Sequence, residues 1–95
     1  MAMSRADRRK AREARVLAVF GMDRAPHALD LLELVEFAWH DCYDEITPPA
    51  EIVDDMLFLS EGHLDRLIEA SLLAVTDWRD LKVAAEERRR RHSSD

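Results

Sequence analysis

From Leu64 to Ala85 small and apolar residues return every three or four positions: Leu64, Leu67, Ser71, Ala74, Trp78, Leu81 and Ala85. That spacing lines one side of an α-helix and cannot line one face of a strand, whose period is two. Ile68, Leu72 and Val75 broaden the seam, which favours packing in a bundle over a bare two-stranded coil. The pattern stops at Arg88, where RRRRHSSD begins. A helix over 61–88 would be about 42 Å long at 1.5 Å per residue. It is predicted to be the longest in the chain, its basic end overhanging the body.

Three shorter helices are predicted before it. Residues 4–20, SRADRRKAREARVLAVF, are rich in helix formers. Ser4 is placed to cap this helix, and Asp7 to complete a capping-box-like turn. Its apolar positions, Val16, Leu17, Val19 and Phe20, are confined to the last third. That end is expected to dock while the arginine-rich start projects or frays. Gly21 suits the left-handed position that ends a helix.

The second helix is predicted over 24–44, with Asp23 as N-cap and Pro26 in the first turn, where its missing N–H costs little. Ala28, Leu31, Val35, Ala38 and Cys42 form one stripe, flanked by Leu32, Leu34 and Trp39, so Cys42 is expected in the core. Glu33, Glu36 and His40 fall on the opposite face. Phe37 stands among them, out of register with the stripe, and Tyr43 lies near the helix end.

Thr47-Pro48-Pro49 halts that helix. A short third helix is expected over 50–59, with Ile52, Val53, Met56 and Leu57 inward. A strand over 55–59 is the rival assignment, but the chain offers no second strand to pair with it. The expected fold is all-α: a small four-helix bundle-like domain over 1–95, with basic ends at 1–12 and 89–95. Ninety-five residues suffice for one core.

Charge is segregated along the chain. Residues 1–22 carry six Lys/Arg and two acids, net +4; residues 23–81 carry fifteen acids and three arginines, net −12; residues 82–95 carry five Lys/Arg and three acids, net +2, for a total of −6. Basic ends flank an acidic body. The single cysteine excludes an internal disulfide, and no run of 18 apolar residues is present. With no apolar stretch of a signal peptide at the N-terminus, the expected setting is cytoplasmic.

No catalytic motif emerges. Glu36 and His40 lie one turn apart, with Asp41, Asp44, Glu45 and His63 as further oxygen and nitrogen donors. A carboxylate-bridged metal bundle uses inward Glu-x-x-His pairs on two helices. Here the spacing is Glu-x-x-x-His, it occurs once, and it faces away from the apolar stripe. Cys42 and His40, two apart on a helix, point in different directions and make no nucleophile–base pair. Gly21 and Gly62 are single helix-end glycines, so no phosphate-cradling loop is present. No enzyme, cofactor or metal is therefore expected.

The expected function is protein–protein interaction, as a regulator, assembly factor or inhibitor, through an acidic and aromatic face of Glu33, Glu36, Phe37, His40, Asp41 and Tyr43. Aromatic anchors within a charged rim resemble binding hot spots. An acidic body suits a basic protein target, as for an inhibitor of a nuclease. A homodimer is also expected, through the Leu64–Ala85 seam or between basic ends and a neighbour's acidic body. The alternative is nucleic-acid binding by Arg8, Arg9, Arg12, Arg88, Arg89, Arg90 and Arg91. Against it, the short helix over 50–59 carries Glu51, Asp54 and Asp55, unlike the basic recognition helix of a helix-turn-helix.

Overall fold

A computed structural model describes residues 4–93. They form five helices, α1 (Arg5–Phe20), α2 (Ala25–Tyr43), α3 (Ala50–Ser60), α4 (Leu64–Thr76) and α5 (Trp78–Ser93), with no strand among the described residues. The all-α bundle is as expected. The number of helices is not, because the predicted 61–88 rod is broken in two.

α1 begins with the capping box that its sequence implies. The Asp7 N–H donates to Ser4 Oγ at 3.1 Å, and the Ser4 N–H donates to Asp7 Oδ2 at 3.3 Å. Its arginine-rich start is helical rather than frayed. Gly21 ends the helix at φ +81°, its N–H donating to the Leu17 carbonyl. α2 is capped by Arg24 without a side-chain bond, so Asp23 is not the N-cap; Pro26 does lie in the first turn.

The buried face of α2 is rotated from the predicted stripe. Ala28, Leu32, Val35 and Trp39 are buried, whereas Leu31 and Ala38 are only half-buried and Cys42 is exposed. The physical reason is α1, which covers the side of α2 that bears Glu33 and Glu36 and shifts the burial axis toward it. Cys42 thereby leaves the core. α3 buries Ile52, Val53, Met56 and Leu57 as its spacing implies.

The 3-4 seam of the C-terminal third is real. Leu67, Ser71, Ala74, Leu81 and Ala85 are all buried. It is carried by two helices, because Asp77 is extended at φ −158°, ψ 99°. The Asp77 N–H closes α4 by donating to the Leu73 carbonyl at 2.8 Å. Asp77 Oδ1 accepts the Arg79 N–H at 3.0 Å, satisfying a free donor of the next helix. A continuous rod would carry Leu81 and Ala85 past the end of the eleven-residue α3, with nothing to bury them. The break folds α5 back across α3 instead. There Lys82 meets Glu51 at 2.9 Å and Arg89 meets Asp55 at 2.8 Å. The longest helix is therefore α2, with 19 residues, and no α4 overhang exists.

Around the bundle, α2 packs against α1 and α4, while α3 packs against α4 and α5. Gly62, in the turn between α3 and α4, has φ +79°, and a Cβ there would lie 2.8 Å from the Val19 carbonyl oxygen. Any side chain at this position meets the end of α1.

Two substitutions separate the broken helix from a rod. Leu81→Ala should cost about 2–5 kcal/mol, as for a core leucine, and Asp77→Ala about 1 kcal/mol, as for a lost cap. Denaturant unfolding measures both. A neutral Leu81→Ala would mean that α5 is not docked.

Candidate functional site

The residues expected to form an acidic, aromatic face do not share one environment. Glu36 is 3% exposed, whereas its neighbour Phe37 is 49% exposed. Glu33 is half-buried, and His40 and Asp41 are exposed. Tyr43 turns the other way: its hydroxyl donates to the carbonyls of Ala74 at 3.1 Å and Val75 at 3.2 Å, which joins the C-terminal ends of α2 and α4. Its ring lies 4.3 Å from that of buried Trp39, tilted by 51°. Tyr43 is thus a packing residue of this fold.

Glu36 is the centre of the α1–α2 contact. Arg8 grips it with two parallel bonds, Nε to Oε1 at 3.0 Å and Nη2 to Oε2 at 2.9 Å. Arg12 Nη1 donates to Oε1 at 2.6 Å. Thr47 Oγ donates to the same oxygen at 3.3 Å and accepts from Arg12 Nη2 at 3.1 Å. This fork-on-carboxylate geometry is the strong form of a charged hydrogen bond. Burial pushes the Glu36 carboxyl upward; the bonds and positive charges of Arg8 and Arg12 outweigh that and hold it below the ordinary carboxylate range. The spacing of α2 placed Glu36 on a solvated face. The clue to its burial was on α1, where Arg8 and Arg12 stand one turn apart.

Two other acids of α2, Asp30 and Glu33, are also met by α1. Arg9 pairs with Asp30 at 2.8 Å and Glu33 at 3.2 Å. The Arg5 guanidinium covers one side of the Phe37 ring, 4.0 Å from its centroid. Phe37 and His40 share a shallow cleft with Arg5, Arg8 and Ile46. Farther along α1, Arg15 pairs with Asp54 of α3. Between α1 and α3 lies an open cleft of about 350 Å³ with Ala11, Pro48, Val53 and Leu57 among its lining. The three arginines at this cleft, Arg8, Arg12 and Arg15, are each engaged by Glu36 or Asp54.

At the other basic end, Arg88 pairs with Glu61, and Arg89 bridges Asp55 and the Phe58 ring, 4.7 Å from its centroid. Arg90 and Arg91 are exposed. Arg8, Arg9, Arg12, Arg88 and Arg89 therefore fold back onto the acidic body of their own chain. Glu36 offers no free oxygen beside His40, and no group of three metal-ligating side chains forms among the described residues.

Sequence reasoning gave little weight to the outward flank of α4. Ile68 and Leu72 are 55% and 65% exposed, and Leu34 on α2 is 63% exposed. Their signal was the breadth of the apolar arc, wider than one neighbouring helix can cover. Among the described residues no helix is long and apolar enough to cross a membrane.

Glu36→Gln should destabilise the fold by about 3 kcal/mol at neutral pH, since it strands two partly buried guanidiniums. Because the folded carboxyl is more acidic than the unfolded one, its contribution is present above the unfolded value of about 4.3 and is lost as pH falls through the folded value. The stability gap between the wild type and Glu36→Gln, followed by thermal melts from neutral to acid pH, should therefore narrow below about pH 4.3. A gap that stays constant would contradict the ion-pair assignment. Comparison of the chain with protein-family models, with curated proteins and with solved structures returns no match.

Proposed function

We propose that this chain is a non-enzymatic helical module that acts by protein–protein contact, as a regulator, assembly factor or inhibitor. The supporting observation is the outward side of α2 and the adjoining flank of α4, where Leu34, Phe37, Ile68 and Leu72 are each about half or more exposed. Large apolar side chains exposed on two helices that pack together are the kind of surface an interaction site uses. Phe37, His40 and Asp41 of the expected face stay within the proposal, because they are exposed on α2. Glu33, Glu36 and Tyr43 contribute indirectly, since their polar atoms are bound within the chain. The Leu64–Ala85 seam is buried in its own fold, so self-association would have to use other residues. A cytoplasmic setting belongs to the same proposal.

Nucleic-acid binding is the rival. It requires Arg8, Arg9, Arg12, Arg88 and Arg89 to exchange their intramolecular carboxylates for phosphates.

Affinity capture from native lysate, with protein and nucleic acid both detected, tests the pair. The wild-type chain should retain a protein that Ile68→Asp/Leu72→Asp loses at least tenfold, with a smaller loss for Phe37→Ala. Retention of the same protein by every variant would overturn the surface. Nucleic acid recovered without protein, and lost on replacing Arg88–Arg91 by alanine, would support the rival.

A further inference from the structure

We infer that the groove between α2 and α4 receives a basic amphipathic helix of another protein; this rests on the protein-interaction function proposed above and names the chemistry of its partner. The bonds from Tyr43 to the Ala74 and Val75 carbonyls bring the C-terminal ends of the two helices together. α2 and α4 pack side by side. On α2, Leu31, Leu34 and Ala38 recur at helical spacing on the side away from α1. On α4, Ile68, Leu72 and Val75 do the same on the side away from α5. Leu31 and Val75 are partly buried against the core, forming a floor. Leu34, Ile68 and Leu72 stand more than half exposed above it. Each row runs about 10 Å, two turns, and none of its six residues carries a charge. An apolar groove of two to three turns is the receptor for the apolar face of a helix.

Charge decides which helix. Asp41 on α2 and Asp65 on α4 are exposed and have no ion-pair partner among the described residues. Asp44 and Glu45 follow at the end of α2 in the same condition. Arg66, the one base on α4, is turned to Glu61 at 2.7 Å. Arg8, Arg9, Arg12 and Arg15 of α1 and Lys82, Arg88 and Arg89 of α5 are directed to other carboxylates. The groove is thus flanked by unneutralised acid. A second copy docking symmetrically would set these carboxylates against their own equivalents. A helix with Lys or Arg beside its apolar stripe meets them with opposite charge.

The test uses the full chain and labelled synthetic peptides of about 18 residues, five helical turns. One series carries leucines at helical spacing with Lys and Arg elsewhere, a second is the same composition scrambled, and a third replaces each Lys and Arg by Glu. Fluorescence anisotropy should show micromolar binding of the first series only, weakened severalfold between about 0.05 and 0.5 M salt as screening increases. Ile68→Ser/Leu72→Ser, at exposed positions, should weaken it at least tenfold while leaving the thermal melt unchanged. Asp41→Asn/Asp65→Asn should reduce the salt dependence. Equal binding of the scrambled peptide, or undiminished binding by Ile68→Ser/Leu72→Ser, would overturn the assignment. So would a sedimenting dimer that the same pair of substitutions dissociates, since the occupant would then be a second copy. If lysate capture needs Ile68 and Leu72 yet no basic peptide binds, the interaction function stands and the partner chemistry falls.

Discussion

A carboxylate withdrawn from water needs its charge answered nearby, and in this protein Glu36 is answered by an element 24 to 28 residues away in sequence. Two guanidiniums and a hydroxyl converge on it from α1 and from the loop after α2. A buried ion pair of this kind adds little net stability, because desolvation offsets most of the attraction. Its strength lies in refusing alternatives. Sliding α1 by one turn along α2 would bring one of the two arginines to the place of the other and leave Glu36 with a single guanidinium where it now has two. Apolar packing alone, through Val16 and Phe20 near the end of α1, would tolerate such a slip better. The docking of α1, and with it the burial axis of α2, depends on this contact.

The charge segregation along the chain has a similar meaning. Basic ends and acidic middle look like two binding surfaces when the sequence is laid out in a line. Folded, they become the two sides of intramolecular seams. Asp54 and Asp55, consecutive on α3, receive Arg15 from α1 and Arg89 from α5. The Arg15–Asp54 pair is exposed and weakens with salt, whereas Asp55 is buried and its pair with Arg89 is screened less. Together the ion pairs tie α1 to α2 and α3, and α5 to α3.

Much of the fold was legible because it is local. The Ser4–Asp7 capping box, the Pro48-Pro49 stop and the inward set of α3 depend on residues within one or two turns of each other. The 3-4 seam through Ala85 was equally legible: five of its seven residues are buried, and Leu64 and Trp78 are half-buried. What periodicity does not report is whether a helix is continuous. Asp77 can extend the backbone and cap the next helix without disturbing the spacing on either side. The registers of Glu36 and Cys42 failed for a different reason. Charge was read as exposure and a small apolar residue as burial, while the deciding factor was which neighbour lay on which side of α2. That is a non-local fact, carried only by the arginine spacing of α1.

The Trp39–Tyr43 stack has a consequence beyond packing. Trp39 is 2% exposed, and its indole N–H has no hydrogen-bond partner among the described residues. Trp78, the other tryptophan, is half-buried at the first residue of α5, with the Arg79 guanidinium 5.6 Å from its ring. One chromophore is buried in the core next to a tyrosine, and the other lies at the break between two helices. The protein therefore carries two intrinsic optical labels with different surroundings. One reports on the closure of the bundle's interior, and the other on the bend that folds α5 back.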